Sequence, residues 1–288
     1  MPYLPEKIID FHTHTFPAKI SGRVIKELAL KSHSLPYTDG SAAALADSAG
    51  EAGVTLSVNL PVMTSPGQVE KINRSLVEMQ EEHEAMGILS FGGLHPEYEK
   101  VKEELQFLKS HGIRGIKLHP AYQSTDLTDI RMERIIGYAS ELDLIVLIHA
   151  GIDIGIPGHN FASVGMILQV LDEVAPKKFV LAHMGSWAGW DDVERDLAGA
   201  PLFMDTSFSL GKIEQNPEDT ELPCRPANLS DEDFIRLTRK HGAEKVLFAT
   251  DSPWASQKEY VLKFKEMELS DSEKDLIMYR NASALLGI

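Results

Sequence analysis

Residues 144–151 read Leu144-Ile145-Val146-Leu147-Ile148-His149-Ala150-Gly151, an unbroken apolar run that stops on a histidine. Side chains alternate faces along a strand, so a run apolar at every position belongs to a strand covered on both sides, the usual state of a parallel sheet. Similar short runs recur at 7–12, 54–60, 87–94, 113–119, 178–183, 201–206 and 245–251. Amphipathic stretches between them predict helices, for example over 68–84, 99–111, 130–142 and 231–241, with a terminal helix over 272–286. Ser230-Asp231-Glu232-Asp233 places a capping serine and acidic residues where a helix begins. Eight strand–helix units within 288 residues predict a closed (β/α)8 TIM barrel. An open doubly wound sheet is disfavoured because no glycine-rich phosphate fingerprint follows the first strand. No linker divides the chain, so one domain over 1–288 is expected.

Composition narrows the function. With 28 basic and 43 acidic residues the net charge is −15, which repels phosphate backbones and argues against nucleic acid as a partner. The alternating charges of 97–109 read as a solvated helix face. The single cysteine, Cys224, excludes an internal disulfide, and no run approaches the length of a membrane span. A cytoplasmic protein acting on a small molecule is expected, with a homodimer as the base-rate assembly.

Polar residues collect at the carboxyl ends of the predicted strands. His12 and His14 close the first, His95 the third, Lys117 and His119 the fourth, His149 the fifth and His183 the sixth. Asp205 lies in the seventh and Asp251 closes the eighth. In a barrel these ends form one ring, the usual place of an active site. A lone strand-end histidine is ordinarily a hydrogen-bonded structural residue, but several converging with an aspartate are poorly explained that way. His12 and His14, two apart, project from one face of a strand. A nitrogen and oxygen set of His12, His14, His149, His183 and Asp251 suits zinc, and also manganese, iron or nickel. Asp251 can bind a cation through one oxygen while the other accepts a proton from water.

These motifs resemble the amidohydrolase superfamily. Asp10-Phe11-His12-Thr13-His14 is similar to its first-strand HxH. Val146–Gly151, Leu181-Ala182-His183-Met184-Gly185 and Phe248-Ala249-Thr250-Asp251-Ser252-Pro253 are similar to its fifth-, sixth- and eighth-strand motifs. Arg280-Asn281-Ala282-Ser283-Ala284-Leu285-Leu286-Gly287 resembles the terminal helix of the amidohydrolase-related (amidohydrolase 2) branch. The resemblance implies one or two divalent ions, most readily zinc, with His12, His14 and Asp251 holding the first. His149 would complete a mononuclear site or belong to a second, and His183 would be a second-metal ligand or the residue that deprotonates the attacking water. It implies hydrolysis of an amide, ester or lactone, with non-oxidative decarboxylation as the alternative chemistry of one subgroup. A non-catalytic protein that keeps the metal for binding is the competing class.

His95-Pro96 and Thr250-Asp251-Ser252-Pro253 also resemble TatD-type metal-dependent deoxyribonucleases, but Gly115-Ile116-Lys117-Leu118-His119-Pro120 lacks their fourth-strand glutamate. Lys117 sits where dihydroorotase-like members carry a carbamylated lysine. A substrate-anion anchor or a structural ion pair is the reading favoured here. Substrate choice is expected from loops 16–40, 151–160 and 206–229, with His119, His159 and Trp187 as substrate-binding candidates. His83, His111 and His241 are assigned to helix ends, where the dipole explains them.

Overall fold

A computed structural model describes residues 3–215 and 227–288; Cys224 and the middle of loop 206–229 lie outside the described residues. Eight short parallel strands follow one another: β1 (Ile9–Thr13), β2 (Leu56–Asn59), β3 (Ile88–Ser90, continued by Gly92–Gly93), β4 (Gly115–Leu118), β5 (Ile145–Ile148), β6 (Phe179–Leu181), β7 (Phe203–Asp205) and β8 (Val246–Leu247). Each pairs with its sequence neighbour, for example Lys117 opposite Leu147 and Leu147 opposite Val180. The ladder is interrupted at Phe91, whose N–H still donates to Asn59 O at 2.9 Å. The ring closes between β8 and β1, where Phe11 N donates to Phe248 O at 2.9 Å and Asp251 N to His12 O at 2.8 Å. The fold is the expected TIM barrel in a single α/β domain.

The alternation along β5 shows how the barrel is filled. Ile145 and Leu147 join the interior cluster with Phe11, Phe91, Val180 and Leu247. Val146 and Ile148 instead pack outward against helix residues such as Ile135, Ile136 and Ile167. Both faces are therefore apolar because both are covered. Ala282, Leu285 and Leu286 of the terminal helix join the interior cluster, and the polar chemistry is left to the other end. Among the described residues, no helix is long and apolar enough to cross a membrane.

Asp10 sits at the β8–β1 seam, fully buried. Its carboxylate accepts from Thr250 Oγ1 at 2.6 Å, Gln257 Nε2 at 2.9 Å, Thr250 N at 3.0 Å and His12 N at 3.3 Å. Burial pushes the Asp10 carboxyl up to about 6, against the pull of those donors.

The predicted helix over 231–241 forms as Asp231–His241, with Ser230 Oγ accepting from Asp233 N. The terminal helix begins at Asp271 behind a Ser270–Glu273 capping box. The single helix expected over 68–84 is instead two, Val69–Glu78 and Gln80–Ala85, because Met79 leaves helical dihedral angles. In the second piece His83 turns inward, its Nδ1 3.0 Å from Ser90 Oγ, so tertiary pairing places it. His241 is also no helix-end cation. Its Nδ1 accepts from Gly199 N, its Nε2 donates to Leu202 O, and burial pulls it down to about 4, so it is neutral. The 97–109 run is not solvated throughout: Glu104 is buried, accepting from Asn73 Nδ2 at 2.9 Å and taking both arms of Arg74. Segment 16–40 contains a helix, Ser21–Ser32, where only a loop was expected.

Gly151, just past β5, requires its glycine twice. Its φ is +88°, and an added Cβ would stand 2.2 Å from Trp187 N. Gly53 shares the positive φ, +75°, but has nothing within 4 Å. Gly53→Ala is therefore expected to cost only the backbone term, about 1–2 kcal/mol. Gly151→Ala adds overpacking of about 1–3 kcal/mol. Equilibrium denaturation compares them, and equal losses would show that the contact with Trp187 is unimportant.

Candidate metal centre

The strand ends bring the histidines together. His12 Nδ1 donates to Asp205 Oδ2 at 2.9 Å and His14 Nδ1 to Leu60 O at 2.7 Å. Because these acceptors take the Nδ1 protons, both Nε2 atoms carry lone pairs. Those lone pairs face each other at 3.2 Å, and Asp251 Oδ1 lies 3.4 Å from His12 Nε2 and 3.1 Å from His14 Nε2. Three acceptors so close repel one another unless something positive lies between them. A cation bonded at about 2.0–2.1 Å would separate its ligands by about 2.9–3.4 Å at tetrahedral or octahedral angles, so the set fits a divalent metal. The geometry is built although the β1–β2 register slips between Asp10 and Thr13.

Backbone conformation at two of these positions is unusual. His183 has φ +59° and Asp251 φ +73°, both left-handed, a strain that packed surroundings sustain at functional sites. At His183 the chain leaves β6 and turns through His183–Gly185, so the imidazole enters the ring. His183 Nδ1 donates to Ser207 O at 2.9 Å, leaving the Nε2 lone pair to accept from His149 Nδ1 at 2.9 Å. His149 Nε2 is consequently a buried lone pair with no hydrogen-bond partner among the described residues.

His149 does not join the triad. It groups with His119 and Asp153, whose Oδ2 is 3.6 Å from His119 Nε2 and 3.9 Å from His149 Nε2. That second group makes a poor two-histidine metal site. The rings of His119 and His149 stack 4.1 Å apart at 14°. A metal lies in the plane of each imidazole that binds it, and two stacked planes share no such point. His119 Nδ1 also accepts from Tyr122 N at 3.3 Å, which puts its proton on Nε2 and makes that atom a donor.

Lys117 is buried, its Nζ 3.2 Å from His12 Nε2 rather than against a carboxylate among the described residues. Burial pulls it down to about 8, partly opposed by Asp205, Asp251 and Asp153. An ammonium there would oppose a cation on the same lone pair, so the lowered value makes release of its proton easier. Burial likewise lowers His12, His119, His149 and His183, keeping the imidazoles neutral.

The remaining candidates lie off this ring. Trp187 is 1% exposed and donates its indole N–H to Phe208 O at 3.2 Å, so it packs the rim instead of offering a face to substrate. The burial of its apolar surface with Phe208 and Ile213 explains the difference. His159 is half exposed and pairs with Asp126 at 2.7 Å, tying the loops after β4 and β5 together outside the ring. Sequence reading assigned no role to Asp205, Ser207, Asp153 or Tyr122. Asp205 alone carried a signal, its strand-end position. The helix Ser21–Ser32 ends near the mouth, with Lys31 Nζ 4.4 Å from the Tyr122 ring centre and the Lys31 backbone against Gly155.

Since burial keeps His12 unprotonated below its ordinary 6.5, a bound divalent metal should be retained equally after dialysis at pH 8 and pH 6. Elemental analysis reads this directly. Metal lost with a midpoint near pH 6.5 would mean that burial does not protect His12 from protonation.

No curated protein matches the chain in sequence. Solved structures share its fold. The 2,6-dihydroxybenzoate decarboxylase from Rhizobium is 15% identical, with TM-score 0.69 over 98% of this chain and 99% of that one. The 5-carboxyvanillate decarboxylase from Novosphingobium aromaticivorans, which has bound manganese, is 13% identical, with TM-score 0.67 over 98% and 97%. A Pseudomonas putida protein named for 2-pyrone-4,6-dicarboxylic acid hydrolysis is 18% identical, with TM-score 0.66 over 99% and 98%. At such identities the likeness is one of fold. The family itself is shown by sequence: the Amidohydrolase family model matches residues 9–288, and this chain belongs to that amidohydrolase family.

Proposed function

We propose that this chain is a metal-dependent hydrolase that cleaves an amide, ester or lactone bond in a small polar or anionic substrate. The observation that carries the reading is the convergence of His12 Nε2, His14 Nε2 and Asp251 Oδ1 at 3.1–3.4 Å. A divalent cation held there would supply Lewis acidity to a carbonyl and to water. Zinc suits the nitrogen and oxygen donors, and the manganese of one structural relative makes that ion the alternative.

The chain's own groups manage protons and orientation. Asp251 offers its second oxygen as the acceptor for a proton from water. For His183 to act as the partner base, the bond from His149 Nδ1, 2.9 Å away, must open, because the Nε2 lone pair it occupies is the atom that would take the proton while Ser207 O holds the other proton on Nδ1. Donation to a substrate anion would come from the Nε2–H of His119 and from the remaining N–H groups of Lys117 as a neutral amine.

A second reading, decarboxylation of an aromatic or unsaturated acid, is favoured by one feature. Tyr122 packs edge-on to His119 at 4.4 Å, an aromatic surface beside the ring suited to such an acid. Two structural relatives are named for decarboxylation of aromatic acids.

Protein purified without chelators is expected to carry about one zinc or manganese ion per chain, since one donor set has ligand geometry. Two ions per chain by elemental analysis would contradict the exclusion of the stacked His119–His149 pair. Asp251→Asn should lower kcat by roughly 10³-fold or more with the circular dichroism spectrum unchanged. Full activity in the folded variant would remove Asp251 from the mechanism. Turnover of lactone, amide and aromatic-acid panels in ¹⁸O-water separates the two reactions. Hydrolysis leaves the label in the organic product, whereas carbon dioxide release with an unlabelled organic product would select decarboxylation.

A further inference from the structure

Asp205, at the end of β7, is completely buried and lies behind the metal-facing histidines. Its two oxygens have different tasks. Oδ1 accepts from Ser207 N at 3.0 Å, from His183 N at 3.2 Å and from Ser207 Oγ. Oδ2 faces His12 Nδ1 at 2.9 Å. Three donors therefore fix the carboxylate, and the remaining oxygen can only accept from His12. Ser207 Oγ also lies 3.0 Å from both His12 Nδ1 and His183 Nδ1, but its proton is directed to Asp205, so it can act on those rings only as a weaker, shared acceptor.

We propose that Asp205 is a positioning residue that holds His12 in the tautomer able to bind a cation and locks its ring direction. An imidazole with its proton on Nδ1 has its lone pair on Nε2, the atom that meets His14 and Asp251. A carboxylate behind a ligating histidine fixes its orientation and raises its basicity. The same carboxylate, through His183 N, ties the β6 turn carrying the proposed base to the β1 histidine. The effect on metal affinity rests on the proposed metal reading; the effect on the tautomer does not.

Asp205→Asn is the informative change because it keeps the shape and inverts the contact. The Asn oxygen must stay with the two backbone N–H groups, since its amide NH₂ there would face donors. The NH₂ then points at His12 Nδ1, which becomes an acceptor, and the ring proton moves to Nε2, where it blocks coordination.

Long-range ¹H–¹⁵N spectra of the full-length, ¹⁵N-histidine-labelled chain before zinc is added read the tautomer, with His12 assigned by its loss in His12→Gln. Wild type should show His12 protonated on Nδ1, and Asp205→Asn should show it protonated on Nε2. Zinc affinity measured by chelator competition should fall about 10- to 100-fold in Asp205→Asn. Ser207→Ala, which keeps the carboxylate, should remain within about threefold of wild type. A wild-type His12 protonated on Nε2 overturns the proposal without any variant. So does a folded Asp205→Asn that keeps the Nδ1 proton or wild-type zinc affinity. A wild type that binds no zinc would defeat the metal reading, and the tautomer comparison would still decide the role of Asp205.

Discussion

The arrangement of this site depends on one buried carboxylate at the barrel seam. Asp10 accepts from the backbone of His12 and from both backbone and side chain of Thr250, which are or adjoin the candidate ligand residues on β1 and after β8. The first and last strands of a barrel are joined only through space, so closure must be specified by side chains and by the ladder bonds they support. Here the bonds that close the ring are also those that bring His12 and His14 within 3.1–3.4 Å of Asp251. Gln257 Nε2, from the helix after β8, adds its bond to the same carboxylate and extends the tie to the outer layer. Burial works against ionisation of Asp10, and its four donors are the compensation that lets a charge remain in the interior.

Around that seam, burial lowers His12, His119, His149 and His183, and directed acceptors set the ring tautomers. Leu60 O and Ser207 O are fixed acceptors that remove the tautomeric freedom of His14 and His183. Desolvation keeps His12, His149 and His183 neutral. The outcome is a group of lone pairs pointing inward, an arrangement unfavourable in itself and suited to a cation. The stacked His119–His149 pair shows that proximity alone is insufficient, because ring planes decide which nitrogens can share an ion.

Much of this was legible in the order of residues. The eight apolar runs and the polar residues at the ends of most of them follow from the period of a strand and from the common direction of parallel strands. His12, His14 and Asp251 were read as ligands from residue type and position, and the structure brings those three together. Asp153 and Ser207 carried no such signal, because they lie on loops whose path depends on contacts distant in sequence. Glu104 looked like any helix-surface acid, yet Asn73 and Arg74 of another helix bury it. The inward turn of His83 likewise answers to Ser90, not to local propensity.

The sequence by itself determined the barrel, the end of it that carries chemistry and the types of donor available there. Those follow from periodicities of two and 3.6 residues and from the hydrophobicity of single positions, which are local properties. Only the tertiary structure decided which histidines share a centre, which nitrogen of each ring is free, and that Trp187 is buried while His159 is half exposed. Those outcomes depend on ring orientation and on acceptors such as Leu60 O, Asp205 and Ser207 O, supplied by other strands. Their distance in the chain leaves no pattern in the residues beside the histidines.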